Sequence, residues 1–395
     1  MTLAGFKQSA LEVLTTNILP FWMERMPDNE HGGFYGRIDN GNVLHPEADK
    51  GAILNARILW TFSAAYRILK RPEYLQMAAR AKDYFLRQFI DREFGGVYWS
   101  VDYEGRPKDT KKQFYAIGFA IYGLSEYARA TGDKESLDEA VRLYRCIEEH
   151  ALDRKHGGYI EACTREWGVI EDMRLSEQDM NYPKSQNTHL HIIEPYANLY
   201  RVWKSPELEA SLRNIITIFT DRILNPETHH LDLFFEKDWT RCVDQMESYG
   251  HDIECSWLMH EAALVLGDQE VLNQVEPIVQ MVAEASEKGL NPDGSMIHEA
   301  NLTKGTVDDD LHWWVQAEAV VGFVNLYQHF GDKTALDKAL RCWQYIQNNL
   351  IDYEHGEWYW SRHRDGSLNT IDDKAGFWKC PYHNGRMCLE IIERI

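Results

Sequence analysis

The chain has 395 residues, 44% of them hydrophobic, so it can bury a large core, and its formal charge of −20 excludes nucleic-acid binding that relies on clustered Lys and Arg. It has no run of about eighteen apolar residues and no basic-then-apolar leader, so we expect a cytoplasmic protein with no membrane partner. Seven scattered cysteines without a Cys-x-x-Cys pair give no zinc framework, while the thirteen Trp and twenty Tyr suit a sugar site, where rings cover the apolar face of a carbohydrate.

An amphipathic stretch at 3–25 predicts the first helix. It leads into a short phrase, His31-Gly32-Gly33-Phe34-Tyr35, that recurs as Phe94-Gly95-Gly96-Val97-Tyr98, His156-Gly157-Gly158-Tyr159 and His355-Gly356-Glu357-Trp358-Tyr359. Two looser copies, Asp293 to Ile297 and the glycine-free His230 to Phe235, complete six. Such self-similarity marks a repeat architecture in which one unit builds the whole molecule. Between copies lie paired helical patterns at 53–69 and 74–89, 113–130 and 135–150, 187–203 and 207–224, 251–266 and 270–287, and 312–330 and 334–350. Pro72 is expected to end the first of these runs. Each phrase reads as a β-hairpin, with turn dipeptides such as Asn40-Gly41, Glu104-Gly105 and Asp365-Gly366.

A last helix at 378–394 pairs with the first. An open stack needs polar capping repeats, and neither end reads as one, so the expected fold is all-α: an (α/α)6 barrel with short β-hairpins on one rim, forming one domain over 1–395. The first helix of each pair is apolar and carries small residues such as Ala64, Ala65, Gly118 and Gly123, which places it in the inner ring. Every phrase precedes an inner helix, so the hairpins and all inner-helix N-termini should share one functional rim.

Along that rim stand Arg57, Tyr115, Asn187 with His189 and His191, His251 with Glu254, Trp313 and Trp314 with Glu318, and Trp378, Tyr382, His383 and Asn384. An imidazole is the side chain best suited to proton transfer near neutrality, which singles out His251 and His383. Glu254, three residues after His251 on one helical face, is expected to orient it, and Pro381 fits the first turn of a helix that presents His383. His189 and His191 are two positions apart, so their side chains diverge on a helix; with no His-Glu-x-x-His nearby, we expect hydrogen bonding and no metal. Arg57 lies in an apolar helix and needs a partner, either an oxygen that gains negative charge during reaction or Glu254 or Glu318. Neither a Gly-x-Gly-x-x-Gly nor a P-loop occurs, so no nucleotide cofactor is expected.

The segments Asn55 to Trp60, Ser248 to Glu254, Trp313 to Ala319 and Trp378 to Arg386 closely resemble the N-acylglucosamine 2-epimerase family, and within it the members that act on disaccharides. The likeness runs the length of the chain. It implies an (α/α)6 barrel and cofactor-free inversion of carbon 2 in the reducing-end glucose of β-1,4-linked disaccharides such as cellobiose or lactose. In that family pattern His383 assists ring opening, His251 and His383 exchange the carbon-2 proton, Arg57 and His191 hold the enediolate oxygens, and Glu254 tunes His251. Tyr115, Asn187 and Glu318 are then hydroxyl contacts, and Trp314 and Trp378 stacking faces. The disaccharide is the one partner expected, with a monomeric protein. Rival readings are a monosaccharide 2-epimerase or aldose–ketose isomerase of the same superfamily, an inverting glycosidase using Glu254 and Glu318, and a helical-repeat scaffold. The long connection from Cys163 to Gln186 is expected to act as a lid, and the weak fourth phrase to affect substrate choice.

Overall fold

A computed structural model describes residues 1–395. Helix α1 (Leu3–Val13), capped by the Thr2 hydroxyl, runs through a π turn at Leu14–Ile18 into α2 (Leu19–Glu24). Five pairs follow: α3 (Ala52–Leu69) with α4 (Pro72–Gln88), α5 (Phe114–Thr131) with α6 (Lys134–His150), α7 (Gln186–Val202) with α8 (Pro206–Ile218), α9 (Tyr249–Leu266) with α10 (Gln269–Ser286), and α11 (Trp313–Phe330) with α12 (Lys333–Asn349). The chain ends with α13 (His383–Arg394). Lys70 in the left-handed region, at φ 58°, terminates α3, and Pro72 instead opens α4, where its missing N–H leaves no bond unmade.

Helices α3, α5, α7, α9, α11 and α13 pack side by side in that order, and α13 returns to α3, which closes the inner ring. α1 packs on α13 as the sixth outer helix, so the (α/α)6 barrel is present as the repeat implied. Close approach of inner helices depends on small residues: a Cβ added at Gly118 would lie 2.2 Å from the His191 carbonyl oxygen. None of the helices is long and apolar enough to cross a membrane.

The recurring phrases are smaller than the expected hairpins. Each is a tight turn closed by one bridge, from Pro27–Phe34 in the first copy to Ile351–Trp358 in the last. The turn starts at Asp28, Asp91, Asp153, Asn225, Asn291 and Asp352, which is four residues before the first glycine in the first three copies and the last, and three before it in the fifth. In all but Asn291 that side chain accepts backbone amides two and three residues further on. The glycine-free fourth copy keeps the turn because His229 adopts φ 63° where the first copy has Gly32 at 82°.

The regular pairing lies elsewhere on the rim. A short strand leading into each inner helix pairs with the strand that follows the next phrase: Lys50–Gly51 with Ser100–Val101, Lys112–Gln113 with Ala162–Cys163, Lys184–Ser185 with Phe234–Phe235, Met246–Ser248 with Glu299–Asn301, and Leu311–His312 with Ser361–Arg362. A bridge between Ile38 and Ala375 completes the circle, so the inner-helix N-termini do share one rim. Four buried lysines fasten turn to strand: Lys50 to Asp28 at 2.7 Å, Lys112 to Asp91 at 2.8 Å, Lys184 to Asp153 at 2.9 Å and Lys374 to Asp352 at 2.5 Å. In the fourth and fifth units the Asp has become Asn225 or Asn291, and Glu247 and Leu311 stand two residues before the helix where a lysine would be.

The final helix starts at His383, later than the expected 378, and Pro381 precedes it. Lys379, bonded to Glu357 at 2.8 Å, and Cys380 against Arg57 hold residues 378–382 as an irregular approach to the helix.

Candidate active site

Because inner-helix N-termini converge, side chains from distant sequence positions line one cavity of about 220 Å³. Arg57, Tyr115, Asn187, His191, His251, Glu254, Trp314, Trp378 and His383 all border it. Glu318 does not; it lies behind His383. A second compartment of about 330 Å³ opens beside the first and shares Asn187, His251, His298 and the 175–179 stretch with it. Within the connection from Cys163 to Gln186, Leu175, Ser176, Gln178 and Asp179 line both compartments, and Gln113 holds the segment just before them by donating to the carbonyls of Met173 and Arg174.

Each of the three inner histidines is anchored through Nδ1, which leaves Nε2 as its remaining polar atom. His383 bonds Glu318 at 2.7 Å, His191 bonds Glu194 at 2.6 Å, and His251 bonds the Ser248 hydroxyl at 2.8 Å. Glu254 does not orient His251 as the spacing suggested, because Arg386 claims it at 2.7 Å. Nor is Glu318 a hydroxyl contact: His383, Arg386 at 2.7 Å and the Trp257 indole at 3.0 Å use its oxygens. His189 is structural, with Nδ1 2.6 Å from the Ser185 carbonyl and Nε2 accepting the Tyr159 amide at 3.0 Å.

Arg386 and Glu194 escaped the sequence reading. Glu194 follows His191 by the same three residues that separate Glu254 from His251, and spacing alone does not say which pair engages. The fully buried Arg386 bonds Glu194 at 2.6 Å as well as Glu254 and Glu318, so α7, α9, α11 and α13 meet on one guanidinium. Three carboxylates around one cation are overcharged unless a proton is retained. Burial and the neighbouring Glu318 hold Glu254 well above the usual carboxylate range, and its Oε2 is buried without a partner. Burial opposes ionisation of Glu318 too, but Arg386 and His383 prevail and bring it to about 2.

Burial also pushes the His251 imidazole down to about 3. For His383 burial outweighs the pull of Glu318 and likewise gives about 3. Both rings are thus neutral at pH 7 and able to accept a proton.

Arg57 pairs with neither Glu254 nor Glu318. Its guanidinium donates to the Tyr115 hydroxyl at 2.8 Å and the Trp378 carbonyl at 3.3 Å, and lies over the rings of Phe119 and Tyr382 at 4.1 and 4.7 Å. It is a buried cation with neutral neighbours, an arrangement complementary to an anionic oxygen. Trp314 lies beside both proton-transfer candidates, 4.8 Å from the His251 ring and 5.7 Å from that of His383.

Two further groupings can be judged from geometry. His298, Asp308 and His312 bring potential ligand atoms together, but the two rings stack at 13°, so their in-plane lone pairs run side by side instead of converging on one ion. Glu254 and Glu318 each lie 2.7 Å from one Arg386 nitrogen, far too close together to flank a glycosidic bond at the roughly 6.5–9.5 Å that inversion needs.

Residues 33–385 match the family model of N-acylglucosamine 2-epimerase (GlcNAc 2-epimerase). The chain is 61% identical to the cellobiose 2-epimerase of Bacteroides fragilis over 98% of both chains, and 42% identical to that of Ruminococcus albus over 96% of this chain and 97% of the relative. The solved structure of cellobiose 2-epimerase from Bacillus thermoamylovorans B4167 superposes with a TM-score of 0.94 at 40% identity, covering 99% of this chain and all of the other. The chain belongs to the N-acylglucosamine 2-epimerase family.

Proposed function

We propose that, as a member of this family, the protein epimerises carbon 2 of the reducing-end glucose of cellobiose, and of other β-1,4-linked disaccharides such as lactose. The observation that carries the reading is Arg57: a buried cation without an acid partner, set in one cavity with two anchored, neutral imidazoles. The adjoining compartment offers room for a second sugar.

The reaction begins with ring opening. His383 takes the proton from O1 and returns it to O5 as the C1–O5 bond breaks, which leaves an aldehyde. That carbonyl acidifies the hydrogen on carbon 2. His251 removes it, the C–H electron pair becomes the C1=C2 bond, and the carbonyl pair moves onto O1. Arg57, with His191 beside it, stabilises the charge on that oxygen. His251 then protonates O1 to give a neutral enediol. His383 takes a proton from O1 and delivers it to the opposite face of carbon 2 as the carbonyl re-forms, and ring closure completes the inversion. Both histidines begin and end neutral, consistent with their burial.

The test is incubation with cellobiose, lactose, mannose and N-acetylglucosamine, each in heavy water. We expect cellobiose to yield glucosyl-mannose with deuterium at carbon 2, because a protonated imidazole exchanges with solvent. His251→Ala and His383→Ala should each lose at least about 100-fold in kcat. Turnover of the monosaccharides alone would sink the assignment.

A further inference from the structure

We propose that His298, aligned by Asp308, accepts a hydroxyl of the second, non-reacting sugar and so sets the preference for a disaccharide; this rests on the function proposed above. His298 borders both compartments, whereas Arg57, His191 and His383 reach only the inner one. A group on the shared wall, away from the anion-stabilising arginine, is placed for recognition of what lies beyond the reacting ring.

The histidine is built for a fixed aim. Its Nδ1 lies 2.8 Å from the Asp308 carboxylate, which repeats the histidine–acid arrangement of His191 and His383. Asp308 reaches that position through backbone register: strands Glu299–Asn301 and Thr306–Asp308 pair so that Asp308 stands opposite Glu299, next to His298. One face of the ring stacks on His312 with centroids 4.3 Å apart, and Trp314 meets it edge-on at 5.8 Å. The side chain remains 20% exposed. With the Nδ1 proton directed at the carboxylate, Nε2 holds a lone pair and acts as an acceptor. Its match is a hydroxyl donor on a pyranose, and a ligand lacking the second sugar leaves that site to water.

The experiment compares wild type, His298→Ala and Asp308→Asn in cellobiose kinetics. It also measures binding of cellobiitol, which keeps the second sugar but cannot react, and of glucitol, which lacks it. For His298→Ala we expect KM for cellobiose and Kd for cellobiitol to rise about three- to tenfold, as for loss of one hydrogen bond, while kcat falls by less than about threefold and glucitol binding holds. Asp308 is a positioning residue, so Asp308→Asn should raise the same two constants less, about two- to threefold, with glucitol again unmoved. Equal weakening of cellobiitol and glucitol, or a fall in kcat at constant KM, overturns the inference. Wild-type protein that leaves cellobiose unconverted overturns the function on which it rests and this inference with it, and that outcome is seen before any variant is tested.

Discussion

Arg57 shows how a single residue's neighbours decide its role. A lysine there keeps the positive charge but loses the planar fork that spans Tyr115 and a bound oxygen. Arg57→Lys should therefore cost about 100-fold in kcat with little change in KM, measured by steady-state kinetics on cellobiose. The histidines make a prediction of opposite character. A ring whose pKa is lowered keeps its neutral, proton-accepting form as pH falls, so with both His251 and His383 near 3 the kcat/KM profile should stay level from pH 7 to about 5. An acid limb centred near the free imidazole value of about 6.5 would contradict the buried, neutral assignment. At this scale the sequence named most of the cavity-lining residues but missed Glu194 and Arg386 behind them, and assigned Glu318 a different role. His251 and Glu254 share a helical face, yet which acid serves which imidazole depends on where Arg386 lies, more than a hundred residues away in the chain.

At the scale of the element, the six phrases act through what precedes and follows them. Glycines mark the phrase in the sequence, but the turn begins on an Asp or Asn ahead of them and is fastened in the first unit by Lys50, 22 positions after Asp28. That distance is bridged only by folding, which is why periodicity revealed the repeat and not its ion pair. Lys50→Met should destabilise the fold by about 3–5 kcal/mol, because it strands the Asp28 charge in the interior. Adding Asp28→Asn should recover more than half of that loss, as read by chemical denaturation. The helices were legible to within a few residues except α13, whose start depends on how Lys379 and Cys380 are held by Glu357 and Arg57 rather than on its own pattern.

Across the whole molecule, ring closure was legible because two unpaired helical patterns remained at the ends of five pairs. The ring's inequality was not. Its lysine–aspartate pairs serve the first three units and the last, while the arc from Asn225 to Leu311 lacks them. Hydrogen exchange should therefore be faster at Met246–Ser248 and Glu299–Asn301 than at Lys50–Gly51 and Ser100–Val101, and uniform protection around the rim would refute the difference. The guanidinium of Arg386 carries a further consequence, for the order in which the protein comes to life. It arrives on α13, which joins the ring's two ends and follows the other inner helices along the chain, while its acids wait on α7, α9 and α11. Before it docks, those acids face one another without their cation, and His383, carried on the same helix, has no Glu318 to anchor it. The ring's closure and the assembly of its reactive centre are therefore one event, because the helix that joins the ends also carries His383 and Arg386.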